Sequence, residues 1–294
     1  MTQTPTTLVE AREQFLALVA GVRPELHRYC ARLTGSVIEG EDIVQDTLAK
    51  AFYALSQSSE VPPLRPWLFR IAHNAALDFL KSHGRRHTEL HAELEELAGF
   101  EDVPDPALVR AALASFLTLP VTQRSAVILK DVLGHSLEET AETMESTVMA
   151  VKAALVRGRA ALLQQVAREP EPVTPLRGEL DRYARLFNAR DWDGVRALVS
   201  DDCRLDLVSK SQRRGKQVGQ YFKRYEAENV ALRVVSLEGK LSLAAYVAGA
   251  ETPAYFILLE LEAGRVTLIR DFRYVPYIAA EADFKLAADP AEPS

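Results

Sequence analysis

Hydrophobic positions recur three and four residues apart through most of the first 168 residues, which is the period of an amphipathic helix. The clearest stretches are 39–55, 64–86 and 121–134. From about residue 203 the pattern changes to β-branched runs in which apolar and polar residues alternate, as in half-buried strands. The pattern predicts a helical amino-terminal part followed by a part that combines helices and strands.

Two polar stretches interrupt these patterns and predict linkers. Residues 87–106 hold seven acidic side chains and no Lys or Arg, and residues 169–175 read EPEPVTP. The sequence therefore predicts a multidomain chain with two all-α domains ahead of an α+β domain. The predicted boundaries are 1–86, an acidic linker at 87–106, 107–168, a second linker at 169–175, 176–280, and a tail at 281–294.

Two helices of the first domain carry polar faces of opposite charge. On the helix at 39–55, Asp42, Gln45 and Asp46 lie opposite the apolar positions. On the helix at 64–86 the polar face is basic with an amide at its centre, which suits phosphates and base edges. Its binding candidates are Arg70, Asn74, Lys81, Arg85 and Arg86. From the pattern alone, an ordinary solvated face remains the alternative for both helices.

The second domain contains a helix-turn-helix pattern. The first helix ends at Gly134, and Ser136 with Glu139 forms a capping box for a short second helix. Thr147 is placed to cap a third helix. Small and apolar residues, Ala141 and Val151, are expected where the last two helices cross. Glu145 stands at the turn position that usually carries Gly. A plain helical hairpin is the alternative.

The third helix of this domain carries no acid. Residues 146–168 contain four basic side chains and neither Asp nor Glu, whereas the preceding helix is acidic. Because a recognition helix lies between two phosphate strands in the major groove, carboxylates would be repelled there. The residues expected to reach DNA are Thr147, Met149, Ala150, Lys152, Ala153, Arg157 and Arg159.

The third domain is predicted to open with two helices and to continue as an antiparallel sheet curled into a cone. Glu262-Ala263-Gly264 marks a hairpin turn between its last strands. Such cones enclose a pocket, and Asp206, Tyr246, Asp271 and Tyr274 are the polar residues expected to line it. A buried carboxylate beside a tyrosine can transfer protons, but outward-facing strand residues are the more ordinary interpretation.

Composition narrows these possibilities. The formal net charge is −6, so any DNA-binding surface has to be local. Cys30 and Cys203 form no metal or disulfide pattern, and the amino terminus does not resemble a signal peptide. No apolar run reaches the ~20 residues that a membrane helix needs. We expect a cytoplasmic protein without a membrane segment, cofactor or metal, since His83, His87 and His91 lack supporting ligands.

Together these stretches resemble the sigma-70 superfamily, specifically the extracytoplasmic-function RNA polymerase sigma factors. EGEDIVQDTLAKAF is similar to region 2.2, PWLFRIAHNAALDFLKSHGRR to regions 2.3 and 2.4, and LPVTQRSAVILKDVLGHSLEETAETMESTVMAVKAALVRGRA to region 4. FNARDWDGVRALVSDDCRLDL resembles the opening of SnoaL-like domains. The glycine-rich DGGGR motif of one such sigma factor group is replaced here by SKSQRRGK.

The resemblance implies a role and partners. Asp42, Gln45 and Asp46 become expected contacts for the β′ clamp helices of core RNA polymerase, and region 4 is expected to touch the β flap. The chain is expected to contact promoter DNA at the −10 and −35 elements. The third domain is expected to hold an unknown small ligand and to regulate the first two domains. The rival interpretations are a helix-turn-helix activator, or an isomerase- or cyclase-type enzyme with accessory helices.

Overall fold

The structure, a computed structural model, describes residues 8–57, 62–83, 113–163, 177–215 and 219–287. The chain forms two compact units, residues 1–168 and 169–294, here called the helical unit and the α+β unit. Each unit has a hydrophobic core of its own. Among the helices of the described ranges, none is both long and apolar enough to cross a membrane.

The helical unit is built from eight α-helices and one π-helical turn in its described residues. In chain order they are α1 (Leu8–Val19), α2 (Arg23–Thr34), α3 (Val37–Gln57), α4 (Leu64–Ser82), α5 (Leu113–Phe116), α6 (Val121–Val127), the π-helix Ile128–Val132, α7 (Leu137–Thr143) and α8 (Val148–Leu163). The helices predicted from periodicity at 39–55 and 64–86 correspond to α3 and α4. Three further helices, α1, α2 and α5, were not identified individually from the pattern.

Both helical segments of this unit contribute to one core. Leu33 and Phe69 from the first segment belong to the same buried cluster as Phe116, Leu129 and Leu155 from the second. Gly35, in the left-handed region at φ 80°, ends α2, and a Cβ there would lie 2.5 Å from the side chain of Leu117. The two predicted helical domains are therefore packed together in this arrangement.

Arg124 on α6 joins the two segments through backbone carbonyls. Its guanidinium donates to the carbonyl of Leu33 at 2.5 Å, and to those of Leu117 and Leu119 at 3.0 and 2.9 Å. Leu33 lies in the last turn of α2, where carbonyls have no partner within the helix and a cation is favoured. Only 6% of Arg124 is exposed, so this contact is part of the core.

The helix-turn-helix forms as the capping signals predicted. Ser136 accepts from the backbone N–H of Glu139 at 3.0 Å, and Glu139 accepts from the N–H of Ser136 at 2.8 Å, which completes the capping box. Thr147 accepts from the N–H of Ala150 at 3.2 Å. Ala141 and Val151 are buried in the shared core. These signals were correctly read from the sequence.

The α+β unit packs helices against one mixed sheet. Its described elements are α9 (Arg177–Asn188), α10 (Trp192–Leu198), β1 (Val199–Leu207), β2 (Ser211–Arg214), α11 (Gly219–Glu226), β3 (Val230–Leu237), β4 (Lys240–Val247), β5 (Tyr255–Glu262), β6 (Arg265–Asp271), α12 (Tyr277–Glu281) and β7 (Phe284–Leu286). The strand order is β2-β1-β6-β5-β4-β3-β7. The α+β class expected from the pattern is confirmed.

Two details of this unit differ from the prediction. The sheet is not wholly antiparallel, because β1 pairs with β6 in parallel after the meander β3–β6 returns to it. The predicted tail also begins too early, since β7 adds to the edge of β3. The hairpin turn between β5 and β6 is as expected, with Ala263 at φ 49° and Gly264 at φ 76°, the left-handed pair of a type I′ turn.

Candidate nucleic-acid interface and carboxy-terminal pocket

The exposed side of α8 is the strongest candidate for a DNA contact. We call Thr147, Met149, Ala150, Ala153 and Arg157 the recognition face; four of them are exposed and Ala153 is half-buried. Met149 is 55% exposed, which is unusual for a large apolar side chain. The opposite side of α8 enters the core. The helix therefore presents small, apolar and basic groups outward without a carboxylate on the helix itself.

The basic residues of α8 have different environments. Arg157 is exposed, and Lys152 is half-buried beside this face. Arg159 was predicted to reach DNA, but in the structure its guanidinium forms a bidentate ion pair with the carboxylate of Asp131. Its Nε and Nη2 lie 2.9 and 2.6 Å from the two carboxylate oxygens, and Asp131 is buried. The interpretation of Arg159 is corrected accordingly: its guanidinium holds α8 to the π-helix.

Glu145 occupies the turn ahead of α8 in a left-handed conformation, with φ 49°. This explains why Gly is usual there, because a side chain in that region costs about 1 kcal/mol. The Glu145 carboxylate accepts from the amide of Asn74 at 3.5 Å, across to α4. A predicted base-reading residue is thus in contact with the turn of the helix-turn-helix.

Replacing Glu145 by glycine should preserve or raise stability by about 0.5–1 kcal/mol, because it relieves the left-handed strain. Glu142→Gly is the matched control, since Glu142 is also exposed but lies inside α7, where glycine costs about 1 kcal/mol. Urea denaturation of both variants measures the difference. Equal destabilisation of the two would contradict the strain argument.

The basic face of α4 lies along the outside of the helical unit. Asn74 and Lys81 are exposed and Arg70 is half-buried. Arg85 and Arg86, together with the acidic linker 87–106, His87 and His91, lie outside the described residues. So does the linker 169–175. The three residues that are described share one side of α4, as the periodicity predicted.

The three residues predicted for the polar face of α3 are all accessible to solvent. Asp46 is exposed, and Asp42 and Gln45 are half-buried. Glu41, the residue just before Asp42, is fully buried and forms an ion pair with Arg23 of α2. The carboxylates on the polar face of α3 are therefore those of Asp42 and Asp46. The ion pair of Glu41 links α3 to α2.

Two buried histidines lie where α4 meets the second helical segment. Burial lowers the pKa of His73 to about 4, and Glu145 opposes this shift. Burial likewise lowers the pKa of His135 to about 4, with a smaller contribution from Arg65. His73 Nδ1 is 2.6 Å from the hydroxyl of Tyr29, and His135 packs edge-on against Phe69 at 4.7 Å. Both rings are neutral at physiological pH.

The four polar residues predicted for the α+β pocket do not converge. Asp206 pairs with Arg270 at 3.3 Å, and Tyr246 lies under Arg233 at 4.8 Å. Asp206 is in register with Arg270 and Leu207 with Asp271, so Asp206 and Asp271 lie on opposite faces of the sheet. The expectation that Asp206 and Tyr246 line the pocket was wrong, because strand alternation turns them to the other face.

Asp271 lies beneath the pocket in a complete hydrogen-bond network. Its carboxylate accepts from the hydroxyls of Tyr221 and Tyr225 at 2.9 and 2.8 Å, and from the backbone N–H of Arg273 at 2.9 Å. Burial raises the pKa of Asp271, and the Arg273 guanidinium 3.3 Å away opposes that shift. The tyrosines that complete this network were not identified from the sequence.

A pocket of about 350 Å³ opens at the end of the sheet where β3 begins and β4 ends. It is lined by Arg224, Glu228, Asn229, Val230, Val247, Tyr255, Arg273 and Tyr274. Of the four predicted residues, only Tyr274 reaches it. Among the described residues, no group of His, Cys, Asp and Glu side chains is arranged to hold a metal ion.

The fold and these surfaces define a helix-turn-helix protein with an appended α+β unit. Comparison with known proteins makes the class specific. Residues 18–86 match the family model of sigma-70 region 2, and residues 110–162 match that of sigma-70 region 4. The RNA polymerase sigma factor NccH of Alcaligenes xylosoxydans xylosoxydans is 33% identical over 130 residues, which are 42% of this chain and 70% of NccH. The chain belongs to the sigma-70 family of RNA polymerase sigma factors.

Two further similarities extend over more of the chain. The ECF RNA polymerase sigma factor SigG of Mycobacterium tuberculosis is 32% identical over 216 residues, 63% of this chain. The chain spans 58% of the length of SigG. The crystal structure of the extracytoplasmic function sigma factor SigJ of Mycobacterium tuberculosis is 21% identical, with a TM-score of 0.36, and the match covers 89% of this chain and 98% of SigJ.

Proposed function

We propose that this chain binds core RNA polymerase in the cytoplasm and directs it to promoters, without catalysing a reaction itself. The observation that carries the proposal is the recognition face of α8. Four of its five residues are exposed, it contains no acid, and it belongs to a capped helix-turn-helix. Family membership supplies the context, because region 2 and region 4 occur here in one chain.

Each surface of the helical unit is proposed to bind a different partner. Asp42, Gln45 and Asp46 contact the β′ clamp helices, and the second helical segment contacts the β flap. Arg70, Asn74 and Lys81, followed along the chain by Arg85 and Arg86, contact the −10 element. The recognition face and Lys152 contact the −35 element.

Asp46→Arg should weaken co-purification with core polymerase, because Asp46 is the most exposed member of its face. Failure of the unaltered chain to bind core would instead favour a helix-turn-helix activator.

Contacting both elements at once requires the two helical segments to separate. Elements centred about 25 base pairs apart lie roughly 85 Å apart along B-DNA. A compact unit of 168 residues has a radius of gyration of only about 15 Å. Residues 84–112 connect the segments, and a chain of that length can span up to about 100 Å. We therefore propose that the packed arrangement, with Asn74 against Glu145, opens when the promoter is engaged.

Arg157→Ala should weaken binding to a −35 fragment about three- to tenfold and lower the salt slope by about one unit, because one phosphate contact is lost. Lys152→Ala should act in the same direction. Arg196→Ala is the matched control, since it removes an arginine from the α+β unit. Fluorescence anisotropy over a salt series measures both quantities. Unchanged binding in both α8 variants would contradict the groove placement.

The α+β unit is proposed to regulate the helical unit. The two units have separate cores, so residues 1–168 can be tested as a shortened chain. Transcription by core polymerase with residues 1–168 should differ from transcription with the whole chain. Identical activity of the two proteins on the same promoter would contradict this part of the proposal.

The network around Asp271 supports a non-catalytic role for the α+β unit. A general base needs a free lone pair within reach of a substrate. Here two phenols, a backbone N–H and the Arg273 guanidinium surround the carboxylate, and the side chain is fully buried. Turnover of a pocket ligand that is lost in Asp271→Asn would instead support the enzyme interpretation.

A further inference from the structure

The pocket of the α+β unit combines an apolar wall with a cationic rim. Val230 from the start of β3 and Val247 from the end of β4 form the wall, and Val247 is 48% exposed. Such exposure is unusual for a residue within a sheet. A volume of about 350 Å³ lies at the small end of the range for ligand pockets. The space suits a small molecule with a compact apolar body.

Most polar groups at the floor of the pocket are hydrogen-bonded to one another, and Arg273 Nε is the exception among them. Tyr255 accepts from Arg273 Nη2 at 2.7 Å and donates to Tyr225 at 3.2 Å. Tyr225 in turn donates to Asp271 at 2.8 Å. Arg273 also donates to both carboxylate oxygens of Glu228, at 3.4 and 3.2 Å. The Tyr255 hydroxyl and both terminal nitrogens of Arg273 are thus engaged within the floor, so we expect ligand recognition at the rim.

The rim retains hydrogen-bond donors. Tyr274 accepts from Arg224 Nη1 at 2.7 Å and from Lys210 Nζ at 3.3 Å. Arginine and lysine are donors only, so the hydroxyl proton of Tyr274 still needs an acceptor, and none is found among the described residues. Arg224 donates through Nε to Glu228 at 2.9 Å, while its Nη2 has no partner in the described part of the chain.

The charge balance at this end of the unit is positive. Three cations, Arg224, Arg273 and Lys210, face two carboxylates, Glu228 and Asp271. Glu228 is shared between the two arginines, and Asp271 is engaged by Tyr221, Tyr225 and Arg273 within the floor. The excess positive charge lies on the exposed side, at Arg224 and Lys210. An acceptor that also carries negative charge would satisfy both the free donors and this excess.

We propose that this pocket binds a small carboxylic acid with a compact apolar body. The body packs between Val230 and Val247, and the carboxylate accepts from Arg224 Nη2 and the Tyr274 hydroxyl. The Asp271 network beneath it keeps the floor rigid and takes no part in contact with the ligand. The proposal concerns binding by the α+β unit alone and is independent of the promoter function proposed above.

Calorimetric titration of the whole chain at pH 7.5 tests the proposal with benzoate and cyclohexanecarboxylate as probes and the corresponding primary amides as neutral analogues. The acids should bind with a Kd of about 1 mM or lower, and the amides at least about tenfold more weakly. Arg224→Met should weaken acid binding about tenfold. Arg196→Met is the matched control, because Arg196 is an arginine of the same unit that lies outside the pocket.

Val247→Asp provides a second variant at an exposed position, where a charged side chain can be accommodated without loss of folding. It adds a negative charge to the wall and should abolish binding of both acids. Amides that bind as well as acids would overturn the proposal. It would also be overturned if the Kd of both acids exceeded about 10 mM. Binding of the acids to Arg224→Met and Val247→Asp as tightly as to the unaltered chain would overturn it as well.

Discussion

Replacing Arg124 by methionine should destabilise the helical unit by about 3 kcal/mol or more. The substitution keeps most of the aliphatic volume but removes the donors that reach the carbonyls of Leu33, Leu117 and Leu119. Each buried carbonyl left without a donor costs about 1–3 kcal/mol. The loss should be large because the guanidinium is itself buried and joins the two helical segments.

Urea denaturation followed by Trp67 fluorescence measures this effect in a Trp192→Phe background, since the chain contains two tryptophans. Arg65→Met is the matched control. Arg65 also bridges the two segments, pairing with Glu25 at 3.1 Å and Glu139 at 3.5 Å, but its side chain is 35% exposed. Surface pairs of this kind contribute at most about 1 kcal/mol. Equal losses for the two variants would contradict the role assigned to Arg124.

Lowering the pH from 7.5 to 5 should cost the helical unit about 4 kcal/mol, shared equally by His73 and His135. The folded protein keeps both rings neutral down to a pKa of about 4, whereas the unfolded chain binds protons near pH 6.5. Between these values the unfolded state holds more protons, so stability falls as the pH is lowered. At pH 5 each histidine contributes about 2 kcal/mol to the loss.

His135→Phe should remove about half of this acid dependence. Burial is the main cause of the lowered pKa; Arg65 adds to it, and Glu139 and Glu25 oppose it. The ring nitrogens of His135 have no hydrogen-bond partner in the described residues, so an aromatic hydrocarbon should be tolerated at pH 7.5. His83→Phe is the control, because His83 is exposed. Acid sensitivity unchanged by His135→Phe, measured as urea midpoints at both pH values, would contradict this account.

The helices and their caps could be predicted because their signals are local. The apolar period located α3 and α4, and Ser136, Glu139 and Thr147 marked helix starts that the structure confirms. Local hydrogen bonds of this kind involve residues three positions apart, so the sequence displays both partners together. The same holds for the turn at Ala263 and Gly264, where two residues fix the geometry.

The partners of charged residues could not be predicted in the same way. Arg157 and Arg159 look alike in the sequence, yet only Arg159 meets a buried carboxylate, that of Asp131, 28 positions earlier. Glu41 resembles Asp42 and Asp46 in the sequence but is buried against Arg23. These outcomes depend on which helices pack together, and periodicity does not specify that.

The α+β pocket was harder still to predict. Alternation along a strand identifies two faces but does not say which one closes over a cavity, so Asp206 and Tyr246 were assigned to the wrong face. Tyr221 and Tyr225 lie on a helix distant in sequence from Asp271, although they complete its network. Both tyrosines lie on one apolar helix face, and that spacing was the available signal.

The most direct test of the central claim is transcription from pooled genomic fragments by purified core RNA polymerase, with and without the whole chain, followed by sequencing of RNA 5′ ends. The account predicts a small set of start sites that depend on the chain and share sequence elements near −10 and −35. Arg157→Ala should reduce transcription from these sites, and Arg196→Ala should not. An identical set of 5′ ends with and without the chain would contradict its assignment as a promoter-directing sigma factor.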